Sequence, residues 1–183
     1  MAEVTLEAAP QKLRDLFNKG FTSFERGNLE YAVDLLSSCV LSEPRFLHAR
    51  KFLVAAEIQR FKKKGNASLA KLVADLGNLP SYLKAQVLLR TGKSEPVLPL
   101  VEQMLKRNPL DARLILMFAT VMENLDIPEA AVQMIEITRD HHSGNIPLLK
   151  KLGHLYMKTG QTKLGLELYE HLGEVCPRDP EVL

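Results

Sequence analysis

Tryptophan is absent from this 183-residue chain, and aromatic residues make up only 6% of it. Aliphatic side chains must therefore do most of the packing, within a hydrophobic share of 46% that suffices for a core. Cysteine is nearly absent as well. Cys39 and Cys176 are too few for a disulfide framework. Two isolated thiols fit a reducing compartment, so a cytoplasmic location is expected. No apolar run approaches the ~18 residues of a membrane span. The opening MAEVTLEAAP has early acids and lacks the basic start and apolar stretch of a leader. Neither sign of charge is in excess. The formal net charge of +2 gives no reason to expect nucleic acid.

What is present is distributed unevenly. Residues 1–91 carry 14 Lys or Arg against 9 Asp or Glu, and residues 92–183 carry 10 against 13. The chain is a mild dipole along its length.

The stronger regularity is a period of about 34 residues. From Leu13, the residues Leu16, Gly20, Phe24, Gly27, Asn28, Ala32, Leu36 and Pro44 fall at set offsets. From Ile146, Leu149, Leu152, Gly153, Tyr156, Gly160, Leu164, Tyr169 and Pro177 fall at nearly the same ones. A third register starts at Ala112, with Ile115, Phe118, Ala119, Met122, Asp126, Ala131 and Ile135. A period of this length implies stacked helical hairpins. Gly27-Asn28, Thr91-Gly92 and Asp126-Ile127-Pro128 read as the turns inside hairpins, and Pro44, Asn108-Pro109 and Ser143-Gly144-Asn145 as the breaks between them.

This pattern resembles the tetratricopeptide repeat (TPR) family, in which a small residue stands at position 8, a turn at 15–16, Ala at 20, an apolar residue at 24 and Pro at 32. The resemblance implies an all-α, right-handed solenoid of about five helix-turn-helix repeats. A short tail, 1–12, precedes repeats at 13–46, 47–77, 78–111, 112–145 and 146–179, and residues 180–183 are expected to begin a further helix. The second repeat is the shortest. Its second helix is expected over Ala67–Leu76, with a new helix opening at Asn78-Leu79-Pro80-Ser81.

By the same resemblance, the first helix of each repeat lines a concave groove. The expected partner-binding residues are Arg14, Phe17, Phe21, His48, Lys51, Tyr82, Gln86, Arg90, Arg113, Lys150, His154 and Lys158. Bases outnumber the acids Glu25 and Glu123 on this face, and Phe17, Phe21 and Tyr82 add aromatic surface of the kind that anchors partners. An acidic peptide or protein segment with apolar anchors is the expected complement. The chaperone-tail clamp known in the family is excluded, because no register places its Lys, Asn and Arg set at the required positions.

Other chemistry is explained structurally. Thr91-Gly92-Lys93-Ser94 lacks the first glycine of a phosphate loop, so it reads as a turn and an N-cap. Asp140-His141-His142 has no further ligand at metal-site spacing. Arg45, Arg50, Lys51, Arg60 and Lys62–Lys64, opposed only by Glu57, read as a solvated basic helix. Cys39 reads as a core thiol. No catalytic residue, cofactor or metal is expected, nor a nucleic-acid or membrane partner. The expected function is a non-enzymatic interaction scaffold. The alternatives are self-assembly through the terminal repeats, where the C-terminal helix carries Leu164, Leu166, Leu168, Leu172 and Val175, or service as the regulatory domain of a larger protein.

Overall fold

The structure is a computed structural model, and it describes residues 3–63 and 67–176, the side chains of 67–72 excepted. The expected stop at Gly65-Asn66 and the expected helix at 180–183 lie outside the described residues. Within them the chain is all helical, with α1 (Gln11–Glu25), α2 (Leu29–Ser42), α3 (Leu47–Lys63), α4 (Ala67–Arg90), α5 (Leu98–Arg107), α6 (Ala112–Asn124), α7 (Pro128–Thr138), α8 (Ile146–Lys158) and α9 (Thr162–Val175).

The period is visible in the backbone. Gly27, Gly92, Asp126 and Gly160 take left-handed φ values of 75, 75, 59 and 77°. Each follows the first helix of a hairpin. The next residue donates its N–H five residues back: Asn28 to Ser23, Lys93 to Leu88, Ile127 to Met122 and Gln161 to Tyr156, at 2.8–3.0 Å. This bond closes the last turn of the helix and reverses the chain. At the far end of two hairpins the next helix is capped by a side chain, Asp111 accepting from the N–H of Arg113 and Asn145 from that of Leu148.

Hairpin closure follows from small-against-large packing. A Cβ on Gly20 would stand 3.0 Å from Leu36 Cγ, and one on Gly153 3.0 Å from Tyr169 Cζ. The missing side chains let α1 and α2, and α8 and α9, approach closely. The segment before α1 is no loose tail. Ala9 is buried, and the N–H of Val4 donates to the Arg45 carbonyl at 3.2 Å.

Two hydrophobic cores result. One gathers Leu13, Phe17, Leu36, Cys39, Phe46 and Leu53 from α1–α3. The larger runs through α4–α9. Helix α3 belongs to both: Ala49, Leu53 and Ala56 face the first, Leu47, Val54 and Ile58 the second. It packs on α2 and on α7, reaching past three intervening helices.

The expected break at Gly77-Asn78 does not occur. A single helix, α4, spans 24 residues with Pro80 inside it. Pro80 cannot donate to the Leu76 carbonyl, but its ring lies on an exposed face. The turn is held from outside. Arg107 of α5 donates to the Gly77 carbonyl at 2.7 Å, and Asn78, buried, donates to the Met104 carbonyl at 3.3 Å.

Candidate interaction groove

Three helices present the side chains that the sequence assigned to a groove: the second half of α4, then α6 and α8. Between α4 and α6 lies a cleft of about 290 Å3, lined by Tyr82, Gln86, Leu89, Arg113, Leu116 and Thr120 among others. Between α6 and α8 lies a larger one of about 660 Å3, bordered by Leu116, Ile146, Lys150, Lys151, His154 and Tyr169. Leu116 lines both, so the two run on from one another. The helical spacing explains the register. Residues 82, 86 and 89 follow one stripe of α4, and 113, 116 and 120 one stripe of α6.

Of the expected residues, Tyr82, Gln86, Arg113, Lys150 and His154 are brought together here. Gln86 donates to the Tyr82 hydroxyl at 3.0 Å, which holds both side chains along the cleft. Arg90 is exposed at the last turn of α4. Lys158 sits one turn beyond His154 on α8.

The groove is less basic than its residue list implies. Glu123 accepts from His154 at 2.9 Å, from Lys158 at 3.0 Å and from Lys151. Burial alone would raise its carboxyl, but the bonds from Lys151, Lys158 and His154 outweigh that and hold it near 2. Arg113 is likewise engaged. It donates to Asp111 through Nη2 at 2.6 Å and Nε at 3.1 Å, and lies 3.4 Å from Asp75. Burial would raise the Asp111 carboxyl, and the Arg113 bonds bring it below its usual range. Behind the groove, Tyr156 donates to Glu136 at 2.7 Å, and burial with that bond pushes its hydroxyl up to about 12.

The N-terminal members of the expected set stand elsewhere. Phe17 is 3% exposed, packed against Phe46 and His48 at 5.2 Å between centroids. It is a core residue, a correction to its expected place on an open face. Phe21 is half-buried, its ring edge-on to Phe52 at 4.6 Å. Arg14 donates to Gln11 at 2.8 Å, while His48 and Lys51 are exposed. Phe17, Phe21 and His48 join Phe24, Phe46 and Phe52 in one aromatic cluster. Helix α3 packs on α7, and none of Arg14, Phe17, Phe21, His48 and Lys51 lines the clefts between α4, α6 and α8.

The basic stretch of α3 is divided: Lys51, Lys62 and Lys63 are exposed as expected, while Arg50 and Arg60 are buried. Arg50 is 1% exposed, bonded to Glu102 at 2.7 Å, with its guanidinium 4.6 Å from the Phe118 ring centroid. Arg60 is 8% exposed and pairs with Glu30 at 2.9 Å. Glu57 is buried among them. Burial first, and then the neighbouring Glu102, push its carboxyl up to about 8. Single-sequence reading had no signal for this cluster, because the burial comes from α3 docking on distant helices. Cys39 is buried, which raises its thiol to about 11. Among the described residues no group of three or more His, Cys, Asp or Glu is placed to hold a metal ion, and no helix is long and apolar enough to cross a membrane.

No protein-family profile matches the sequence, and no curated protein matches it. Solved structures do. The chain superposes on YrrB, described as a TPR protein with an unusual peptide-binding site, with a TM-score of 0.53 at 14% identity, over 91% of this chain and 88% of that one. MamA residues 41-end from Desulfovibrio magneticus RS-1 gives 0.52 at 18% identity, over 93% and 98%. A tetratricopeptide repeat protein from Parabacteroides merdae ATCC 43184 gives 0.52 at 18%, over 93% and 69%. The fold is that of a TPR solenoid. Within that TPR architecture, the fused α4 and the contact of α3 with α7 are local features of this chain.

Proposed function

We propose that the chain is a protein-interaction scaffold that holds a segment of a partner protein along the α4–α6–α8 groove. The observation that carries this reading is the run of two clefts joined at Leu116. Both have apolar floors, edged by the polar groups of Tyr82, Gln86 and His154. Apolar pockets spaced along a furrow suit the alternate side chains of an extended segment, and the polar rim fixes its direction. YrrB, with its peptide-binding site, shares the overall fold, which supports a peptide as the partner class. Glu123 and Asp111 already satisfy much of the positive charge, so apolar anchors contribute more to this recognition than acidic residues do.

Selection of peptides from a random displayed library tests the proposal. Peptides chosen on the native chain should lose about 30-fold in affinity, roughly 2 kcal/mol, against a Tyr82→Ala, Leu116→Glu variant. They should bind a Phe21→Ala, Lys51→Glu variant as before. The reverse result would move the site to the α1–α3 face, and equal binding to all three proteins would sink the groove.

A further inference from the structure

Helix α4 is apolar on the side that faces away from the protein. Val73, Leu76, Leu79, Leu83 and Val87 are 63, 66, 53, 58 and 62% exposed. At 100° per residue these five fall within an arc of about 120°, opposite the buried Ala74, Asn78 and Ala85. The stripe runs for about 21 Å, and the arc between Val73 and Val87 holds no charged side chain. A helix at the surface of a soluble repeat array ordinarily turns polar residues outward.

The order of the stripe is symmetric. Read from either end it is Val, Leu, Leu, Leu, Val, centred near Leu79 and Pro80. A two-fold interface requires a patch that complements itself, and this one does. Two α4 helices laid antiparallel place Val73 against Val87 of the partner subunit, Leu76 against Leu83 of the partner subunit, and Leu79 against Leu79 of the partner subunit. At roughly 100 Å2 left exposed on each side chain, the pair would bury about 1,000 Å2, the lower bound for a specific interface. A membrane-seeking face would be flanked by several bases. Between Val73 and Val87 the only one is Lys84.

We propose that α4 is a self-association surface, through which two copies of the chain pair antiparallel about a two-fold axis near Leu79. Gln86 and Tyr82 stand about 20° and 60° beyond the Leu79 edge of the stripe, and Leu79 shares a pocket with Tyr82 and Arg113, so the paired helices border the groove.

Sedimentation velocity on the full chain, from about 1 to 100 μM, should show a monomer–dimer equilibrium. Leu76→Glu with Leu83→Glu should give a monomer of unchanged helical circular dichroism and melting temperature. In a Cys39→Ala, Cys176→Ala background, Leu79→Cys should cross-link to itself on oxidation. Val73→Cys alone should not, yet should cross-link when mixed with Val87→Cys. A native chain that stays monomeric at 100 μM, or a dimer that survives both glutamates and instead dissociates with Leu166→Glu on α9, would overturn the proposal. So would Val73→Cys cross-linking to itself, which means parallel pairing.

Discussion

The guanidinium of Arg50 meets the carboxylate of Glu102 at 2.7 Å, with both side chains in the interior and 52 positions apart in the chain. This pair ties α3 to α5 and sits over the Phe118 ring of α6. Removing one partner strands a buried charge. Arg50→Ala should lower unfolding free energy by about 3–5 kcal/mol. Arg50→Met with Glu102→Leu should recover most of that loss. Urea denaturation of the two variants beside the native chain makes the comparison, and equal losses in both would contradict it.

Glu57 makes stability fall as pH rises. Its carboxyl titrates near 4.5 when exposed and near 8 in the folded chain. Folding therefore takes up a proton between those values. Its full contribution is present below about 4.5 and is lost as pH climbs through 8. Glu57→Gln should flatten the denaturation midpoint over pH 5–8, and a profile as steep as the native one would count against burial as the cause.

Glu123 acts in the opposite sense. Its carboxyl is held near 2 by Lys151, Lys158 and His154, so its contribution is present above about 4.5 and lost as pH falls through 2. Glu123→Gln leaves those cations without their carboxylate. Acidic peptides should then bind the groove several-fold more tightly, with a steeper salt dependence, in fluorescence anisotropy. Unchanged affinity and salt slope would mean that Glu123 is not part of the recognition surface.

Gly77→Ala reports on whether α4 is one helix. A Cβ there comes no nearer than 3.6 Å to Arg107 Nη1, an ordinary contact. In a helix interior the substitution should stabilise by about 0.5–1 kcal/mol. A break at Gly77 with left-handed backbone would make alanine destabilising instead. The sign of the change in thermal midpoint decides between them.

Gly20→Val probes the hairpin contact. Its Cβ would press on Leu36 Cγ and Leu35 Cβ, at 3.0 and 3.3 Å. Overpacking should cost about 1–3 kcal/mol, read from the urea midpoint. A neutral result would show that α1 and α2 can separate freely.

Turns and hairpins were legible in the sequence because they are local. Gly27, Gly92 and Gly160 announce left-handed stops, and Asp126 is one of the few other residue types that accept such a φ. The run Gly77-Asn78-Leu79-Pro80 carries the same local signals and yet continues a helix, because Arg107 and Met104 of a distant segment satisfy its backbone and its amide. The groove was half legible. Helical spacing brought Tyr82, Gln86, Arg113, Lys150 and His154 to the two clefts, but it could not show that α3 packs on α7 or that His48 and Lys51 line neither cleft. Nor could it show that Asp111 and Glu123 would neutralise the bases beside them.

The docking of α3 on α7 also governs how the molecule can come apart. In an open repeat array each hairpin touches only its neighbours, so the ends fray independently and stability grows by increments. Here contacts about 80 residues apart close the chain into a loop. Loss of α7 exposes one side of α3, and α3 is shared between both cores. The helices from α1 to α7 are therefore expected to melt as one cooperative block, and their folding to be slowed by the search for that distant contact. Among the described helices, α8 and α9 lie outside that closed loop.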